Sequence, residues 1–263
     1  MVVAKVWQKA KQYEGNPKQS DFKLVEEKLA DTLKENEILI EAVYFTVDPY
    51  MRVYANGLPA EQVARILDSK AKGFPKGSLV LAHVGWRSHA IINVKEPMTL
   101  GFLPEIVPEI AGLSPSLWLG IIGMPGVTAY MAFLEECNPK PGEVVVVSAA
   151  SGAVGSVVGQ LARDKGCTVI GSAGSKEKCD WLKSLGFHHV FNYKETAPEV
   201  AMKQYAPDGV DIYYDNVGGD LREAVFNNMR RKARVLICGQ ISVYNKNNDT
   251  GTIKSEFLLC CRY

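Results

Sequence analysis

The sequence predicts an α/β protein in two parts: an irregular β domain followed by a parallel, doubly wound sheet with helices on its faces. Three observations predict it. The first part of the chain carries period-two apolar runs with little helical periodicity. From Pro141 onward, apolar runs alternate with helical stretches, the rhythm of β-α-β units. Between the first such run and its helix lies a turn of small residues, Ser148-Ala-Ala-Ser-Gly-Ala-Val-Gly155.

Glu37-Ile-Leu-Ile-Glu-Ala-Val43 alternates as a half-buried strand should, and Lys76 to Ala82 and Ser88 to Asn93 form further strand candidates. Pro97, Pro104, Pro108 and Pro115 then punctuate a passage leading into Leu113 to Leu134, which has no charged residue. The prolines and glycines inside that stretch break a single spanning helix, so it is expected to be a buried helix and its connector. Val144-Val-Val-Val147 is a continuous apolar run of the kind buried on both faces of a parallel sheet. Val154, Val157, Val158, Leu161 and Ala162 follow at helical spacing, with Gly166 as the stop. Thr168 to Ala173 reads as the next strand, and Ser175 as the cap of a helix ending near Leu185-Gly186. His189 to Asn192, Val210 to Asp215 and Arg234 to Gly239 complete the strand candidates, the last two separated by a helical stretch that runs through the 220s to Met229.

The chain has 263 residues, 47% hydrophobic and 22% charged. At about 100–200 residues per domain this is one large domain or two modest ones. Such a composition excludes a disulfide miniprotein and a disordered chain. A net charge of +1 removes the global electrostatic argument for a nucleic-acid or anionic-membrane partner. Residues 1–7 show no signal-peptide core and no transit character, and the six cysteines sit mostly singly in apolar contexts. Together these predict free thiols and a cytosolic protein.

Strand, small-residue turn and helix come in the order a dinucleotide site demands. The turn reads Ala150-x-Gly152-x-x-Gly155, with alanine in place of the usual first glycine. Gly152 lets the backbone approach a pyrophosphate, and Gly155 lets the helix pack tightly on the strand. The phosphates would rest on the unpaired amides at the helix start. The second strand ends at Gly171-Ser-Ala-Gly-Ser175 without the acid that an NAD site uses to bind the ribose hydroxyls. Lys178 instead falls in the first turn of the next helix, where a cation is mildly unfavourable against the dipole unless a 2′-phosphate meets it. This pattern predicts NADPH rather than NADH. The four histidines and six cysteines offer no metal-ligand spacing, and no Gly-x-Ser-x-Gly elbow occurs. Hydride chemistry without a metal remains, with Tyr50 and Tyr244 as candidate proton donors or carbonyl anchors.

Several longer motifs carry a resemblance. They are Val47-Asp-Pro-Tyr-Met-Arg52, Gly123-Met-Pro-Gly-Val-Thr-Ala-Tyr130, Ala149 to Gln160, Phe191-Asn-Tyr193, Tyr214-Asp-Asn-Val-Gly-Gly219 and Cys238-Gly-Gln-Ile-Ser-Val-Tyr-Asn245. In this order they resemble the zinc-free prostaglandin reductase branch of the medium-chain dehydrogenase/reductases, the leukotriene B4 12-hydroxydehydrogenases or NADP-dependent alkenal reductases. The resemblance implies a GroES-like substrate domain over 1–122 and a Rossmann NADP-binding domain over 123–263. It implies NADPH-dependent reduction of the C=C bond of α,β-unsaturated aldehydes and ketones, such as 2-alkenals and 15-oxo-prostaglandins, and oxidation of the leukotriene B4 12-hydroxyl. By the same resemblance, Gly152, Ala153, Val154 and Gly155 hold the pyrophosphate and Lys178 meets the 2′-phosphate. Tyr193 and Asn216 line the cofactor, while Cys238, Gly239, Gln240, Ile241, Ser242, Val243 and Tyr244 pass under its nicotinamide side. Tyr50 sits beside the substrate pocket, and the implied assembly is a cytosolic homodimer.

The chain departs from the family pattern twice. The 55–61 segment is shorter, and after Asn245 the usual closing pieces do not follow, so both domains are expected to be incomplete at the C-terminus. Phe257 to Cys261 is the candidate for a sixth strand. Two alternative readings stay open: a catalytically silent variant that binds NADPH or modulates a full-length partner, and an NADPH quinone reductase.

Overall fold

The computed structural model describes residues 2–54 and 58–244. The expected strand at Phe257 to Cys261, Asn245 and the first three residues of the 55–61 segment lie outside them. The chain divides into two compact units, Met1–Gly123 and Met124–Tyr263.

In the first unit, β1 (Val3–Lys9) and β2 (Phe22–Lys28) pair antiparallel. Neither was expected, because lysines and glutamates interrupt them. The register resolves this: Lys5 stands opposite Glu26 while Val6 stands opposite Val25, so the charges face one another across the pair. A second sheet contains β3 (Glu37–Phe45), β4 (Gln62–Ser69), β5 (Leu79–Ala82), β6 (His89–Asn93) and β7 (Glu105–Val107), in the order β6-β3-β4-β5-β7. All its pairings are antiparallel. Ile38, Ile40, Ala64, Ile66, Val80, Ala82, Ala90 and Ile92 form its main core cluster. The strand expected from Lys76 starts only at Leu79, because a turn closed by Ser78 N on Pro75 O at 3.2 Å takes up the preceding residues. β4 escapes a pattern reading because it opens on a buried Gln62, whose side-chain amide donates to the carbonyls of Gly85 and Arg87.

The second unit opens with α1 (Met124–Tyr130) and a π-helical turn, Met131–Glu136. This corrects the expectation of a buried helix. Pro125, Gly126, Ala129 and Phe133 are buried, yet Met124, Val127, Tyr130 and Met131 are 44–54% exposed. The helix runs straight into the π-helical turn, and its small-residue side, Pro125, Gly126 and Ala129, is the one that packs inward. Among the described residues no helix is long and apolar enough to cross a membrane.

The parallel sheet follows: β8 (Val144–Val147), α2 (Ala153–Asp164), β9 (Thr168–Ala173), α3 (Lys176–Ser184), β10 (His189–Asn192), α4 (Pro198–Tyr205), β11 (Val210–Asp215), α5 (Gly219–Phe226) and β12 (Met229–Ile237). Its order is β10-β9-β8-β11-β12, so the winding reverses between β8 and β11. β8 is buried on both faces, as its unbroken valines predict. Val145 and Val147 join one core with Val158, Leu182 and Phe187, and Val146 joins another with Ile170, Met202 and Tyr213.

β12 begins five residues before the expected Arg234. The basic residues before Arg234 lie outside the expected strand, but charges on β12 find partners along the sheet. Arg230 reaches Asp211 at 2.7 Å, and Arg234 forks onto Glu143 at 2.6 and 2.7 Å. Lys232, at φ 65°, takes up the register shift between β11 and β12.

α2 lies so close to its neighbours that a Cβ at Gly159 would stand 1.9 Å from a ring carbon of the buried Phe187. Gly159→Ala should gain about 1 kcal/mol of helix propensity but lose about 1–3 kcal/mol to overpacking. The expected outcome is a lower urea midpoint with an unchanged unfolding slope.

Candidate active site

The carboxyl ends of β8 and β11 flank the point where the sheet reverses its winding, the place where open α/β sheets bind ligands. The turn after β8 is tight enough to hold Ala149 at φ 45°, with Gly152 N donating to Ala149 O at 2.9 Å. A Cβ at Gly155 would come within 2.6 Å of Ala149 O and 2.9 Å of Ala150 Cα, both backbone atoms that cannot swing away. Gly155 is therefore required by the close approach of helix to strand. Gly152 is the N-cap of α2, and no side chain caps the amides there. No acidic residue stands in the first turn of α2. Ala153, Val154 and Gly155 thus open a helix whose amide end and dipole are available to an anion.

At the end of β9, Ser175 caps α3 as expected, its hydroxyl accepting from Lys178 N at 3.3 Å. Lys178 is exposed in the first turn of that helix. Its neighbours Lys176 and Lys183 both pair with Asp180, whereas Lys178 has no acidic partner among the described residues. Tyr193, just past β10, lies over Gly174: a Cβ there would meet the phenol oxygen at 2.7 Å. The structure therefore brings 152–155, Lys178 and Tyr193 to one edge of the sheet, at the ends of three adjacent strands.

Sequence reasoning placed Asp215 inside a motif without giving it a role. The structure shows it as a fully buried carboxylate. Its Oδ1 accepts from Ser148 Oγ at 3.1 Å and from Tyr213 Oη, Val217 N and Gly218 N, each at 2.9 Å. Its Oδ2 pairs with Arg222 Nε at 2.5 Å. The main-chain oxygen of the same residue accepts from Cys238 N at 2.8 Å and Gly239 N at 3.0 Å. Asn216 returns to the phosphate strand, its Nδ2 donating to Ser148 O at 2.7 Å. The signal available in sequence was a carboxylate closing an apolar parallel strand, which must find donors where the strand ends.

The 238–244 loop folds over the 216–219 turn, with Ser242 N and Oγ both donating to Val217 O, at 3.1 and 2.8 Å. Tyr244 Oη accepts from Gln240 N at 3.3 Å within that loop, and Ile241 N donates to Asn216 O. Val243 N closes the loop's turn on Gln240 O at 3.0 Å.

Tyr50 belongs to the first unit, in a short 3-10 turn, Pro49–Arg52, entered from Asp48. Burial, reinforced by the neighbouring Asp48, pushes its phenol above the usual tyrosine range. Beside this turn, Thr46 N donates to Glu61 O at 2.9 Å, and Glu61 Oε1 faces His83 Nε2 at 3.1 Å. Among the described residues no group of three His, Cys, Asp or Glu side chains could hold a metal ion.

A parallel sheet whose winding reverses beside a glycine-lined turn into a helix, following an antiparallel β unit, is the architecture of dinucleotide-dependent oxidoreductases. The comparisons with known proteins agree. Family models described as the N-terminal domain of oxidoreductase and as zinc-binding dehydrogenase match residues 5–100 and 153–259. The chain is 48% identical over 256 residues to prostaglandin reductase 1 of Bos taurus, covering 94% of this chain and 76% of that protein. It is 44% identical to an NADP(+)-dependent 2-alkenal reductase of Nicotiana tabacum, covering 90% and 72% of the two chains. The crystal structure of CurA in complex with NADPH from Vibrio vulnificus superposes with a TM-score of 0.83 at 34% identity, over 97% of this chain and 77% of that one. The chain belongs to the zinc-free medium-chain dehydrogenase/reductase family, with prostaglandin reductases and 2-alkenal reductases as its relatives.

Removing the Asp215 carboxylate would leave Arg222, whose side chain is 13% exposed, without its counter-charge. Asp215→Ala is expected to cost about 3–5 kcal/mol of stability, the scale for breaking a buried pair. Denaturant unfolding of the purified variant measures it.

Proposed function

We propose that this chain uses NADPH to reduce the C=C bond of α,β-unsaturated aldehydes and ketones. The observation that carries the reading is the row of sites along the carboxyl edge of the sheet. An uncapped helix start at 152–155 suits a pyrophosphate, and a lysine with no acidic partner among the described residues, in the first turn of α3, suits a 2′-phosphate. Bound NADPH supplies a hydride to the β-carbon of the enone, and the resulting enolate takes up a proton.

The chain's own residues bind, orient and donate. Gly152, Ala153, Val154 and Gly155 hold the pyrophosphate on the helix start, and Lys178 holds the 2′-phosphate. Tyr193 and Asn216 line the dinucleotide, and Cys238 to Tyr244 support its nicotinamide half. Tyr50 keeps its proton at neutral pH because burial and Asp48 oppose the phenolate. It serves as a hydrogen-bond donor to the substrate carbonyl oxygen. Tyr244 accepts from Gln240 N and so keeps its own hydroxyl proton for a ligand. The substrate classes are 2-alkenals and 15-oxo-prostaglandins, with oxidation of the leukotriene B4 12-hydroxyl to the ketone, in which the carbinol hydride would pass to NADP+ and the hydroxyl proton would be released, as a separate activity. A cytosolic homodimer is the assembly that accompanies this reading.

The test is NADPH oxidation by the purified chain with 4-hydroxynonenal, a 15-oxo-prostaglandin and a panel of quinones. Turnover of the enone substrates supports the reading; turnover of quinones alone, or of none, overturns it. Lys178→Ala is expected to weaken NADPH binding about tenfold, the loss of one charge-assisted contact, while leaving NADH binding unchanged. Tyr50→Phe is expected to lower kcat for the enal about a hundredfold, with little change in the Kd for NADPH.

A further inference from the structure

We propose that Arg222 is a positioning residue for the dinucleotide: through Asp215 it sets the height of the 216–219 turn and of the strand end at 238–240. The inference rests on the cofactor site proposed above and concerns its nicotinamide half.

The two oxygens of the Asp215 carboxylate are held unequally. Oδ1 has four donors from the chain around it, whereas among the described residues Oδ2 is held by Arg222 Nε alone. The orientation of the carboxylate plane therefore depends on Arg222. That orientation decides where Val217 N and Gly218 N are held, since both donate to the same oxygen. The Asp215 main chain simultaneously receives Cys238 N and Gly239 N. A rotation at residue 215 thus moves both the turn that carries Asn216 and the loop proposed to support the nicotinamide half.

Arg222 and the second loop both close on Gly218. A Cβ at Gly218, which sits at φ +73°, would meet Gln240 Cβ at 3.1 Å and Arg222 Nη2 at 3.3 Å. Arg222 Nη2 and Gln240 Oε1 are both sealed from solvent and lack a hydrogen-bond partner among the described residues. The guanidinium, carried by α5, is thus held between the Asp215 carboxylate at the end of β11 and the turn at Gly218. Leaving two such atoms unsatisfied is unfavourable. The fold tolerates it where the planar guanidinium, with its rigid fork of donors, fixes geometry that a flexible ammonium would not.

The experiment compares the parent chain with Arg222→Gln, Arg222→Lys and Lys178→Ala. The readouts are the Kd values for NADPH and NADH by fluorescence titration and the thermal midpoint without ligand. Arg222→Gln is expected to raise both Kd values about tenfold, the factor for one well-placed hydrogen bond. Arg222→Lys should recover part of that loss, and Lys178→Ala should affect NADPH alone. If Arg222→Gln does not fold, the lysine variant is read by itself, with a rise in both Kd values expected. A lower unliganded midpoint with both Kd values at the parental level would make Arg222 a structural residue and overturn the proposal. A parent chain that binds neither dinucleotide fails at the cofactor reading itself, which separates the two failures.

Discussion

The buried carboxylate of Asp215 is the interaction on which the candidate site depends. A charge taken fully out of water must be surrounded by donors, and the sheet supplies them from separate pieces of chain. Ser148 comes from the end of β8, Val217 and Gly218 from the turn after β11, and Arg222 from α5. Satisfying one carboxylate therefore aligns the strand that carries the phosphate loop with the turn and loop beside it. The requirement is electrostatic, but its product is geometric.

Around this point the rest of the second unit is ordinary packing. β8 contributes valines to both faces, so the central strand is clamped by helices on either side. Gly155 and Gly159 let α2 descend onto β8 and Phe187, which brings the helix start down to the strand end. At the opposite ends of the strands, Arg230 and Arg234 pair with Asp211 and Glu143. Packing thus places the small-residue turn after β8, and polar contacts at the two edges keep the strands in register.

Much of this was legible in the chain itself where the signal is local. The valine run, the small-residue turn, the Ser175 cap and the glycine stop at 166 each involve residues within one or two turns of one another. Elements whose identity depends on partners were not legible. β1 and β2 look broken until Lys5 meets Glu26. β12 reads as a strand only from Arg234, and its first five residues join it where Arg230 is set against Asp211. α1 looks like a buried helix until its proline and glycine side is seen to be the one that packs. The short helix α4, with Pro198 at its start and Ala201 and Met202 buried, had a readable start signal that the apolar pattern alone did not reveal.

By itself the sequence determined the fold class, the small-residue turn after β8 and the Ser175 cap that sets Lys178 in the first turn of α3. Those features arise from residues adjacent in the chain, whose backbone preferences and spacing act before any tertiary contact forms. Only the tertiary structure decided the role of Asp215 and Arg222. The Ser148–Asp215 contact joins residues 67 positions apart, and no local periodicity encodes it. What makes the pair matter is burial: a carboxylate that would be solvated on a surface must, at the closed end of a parallel strand, organise the chain around itself.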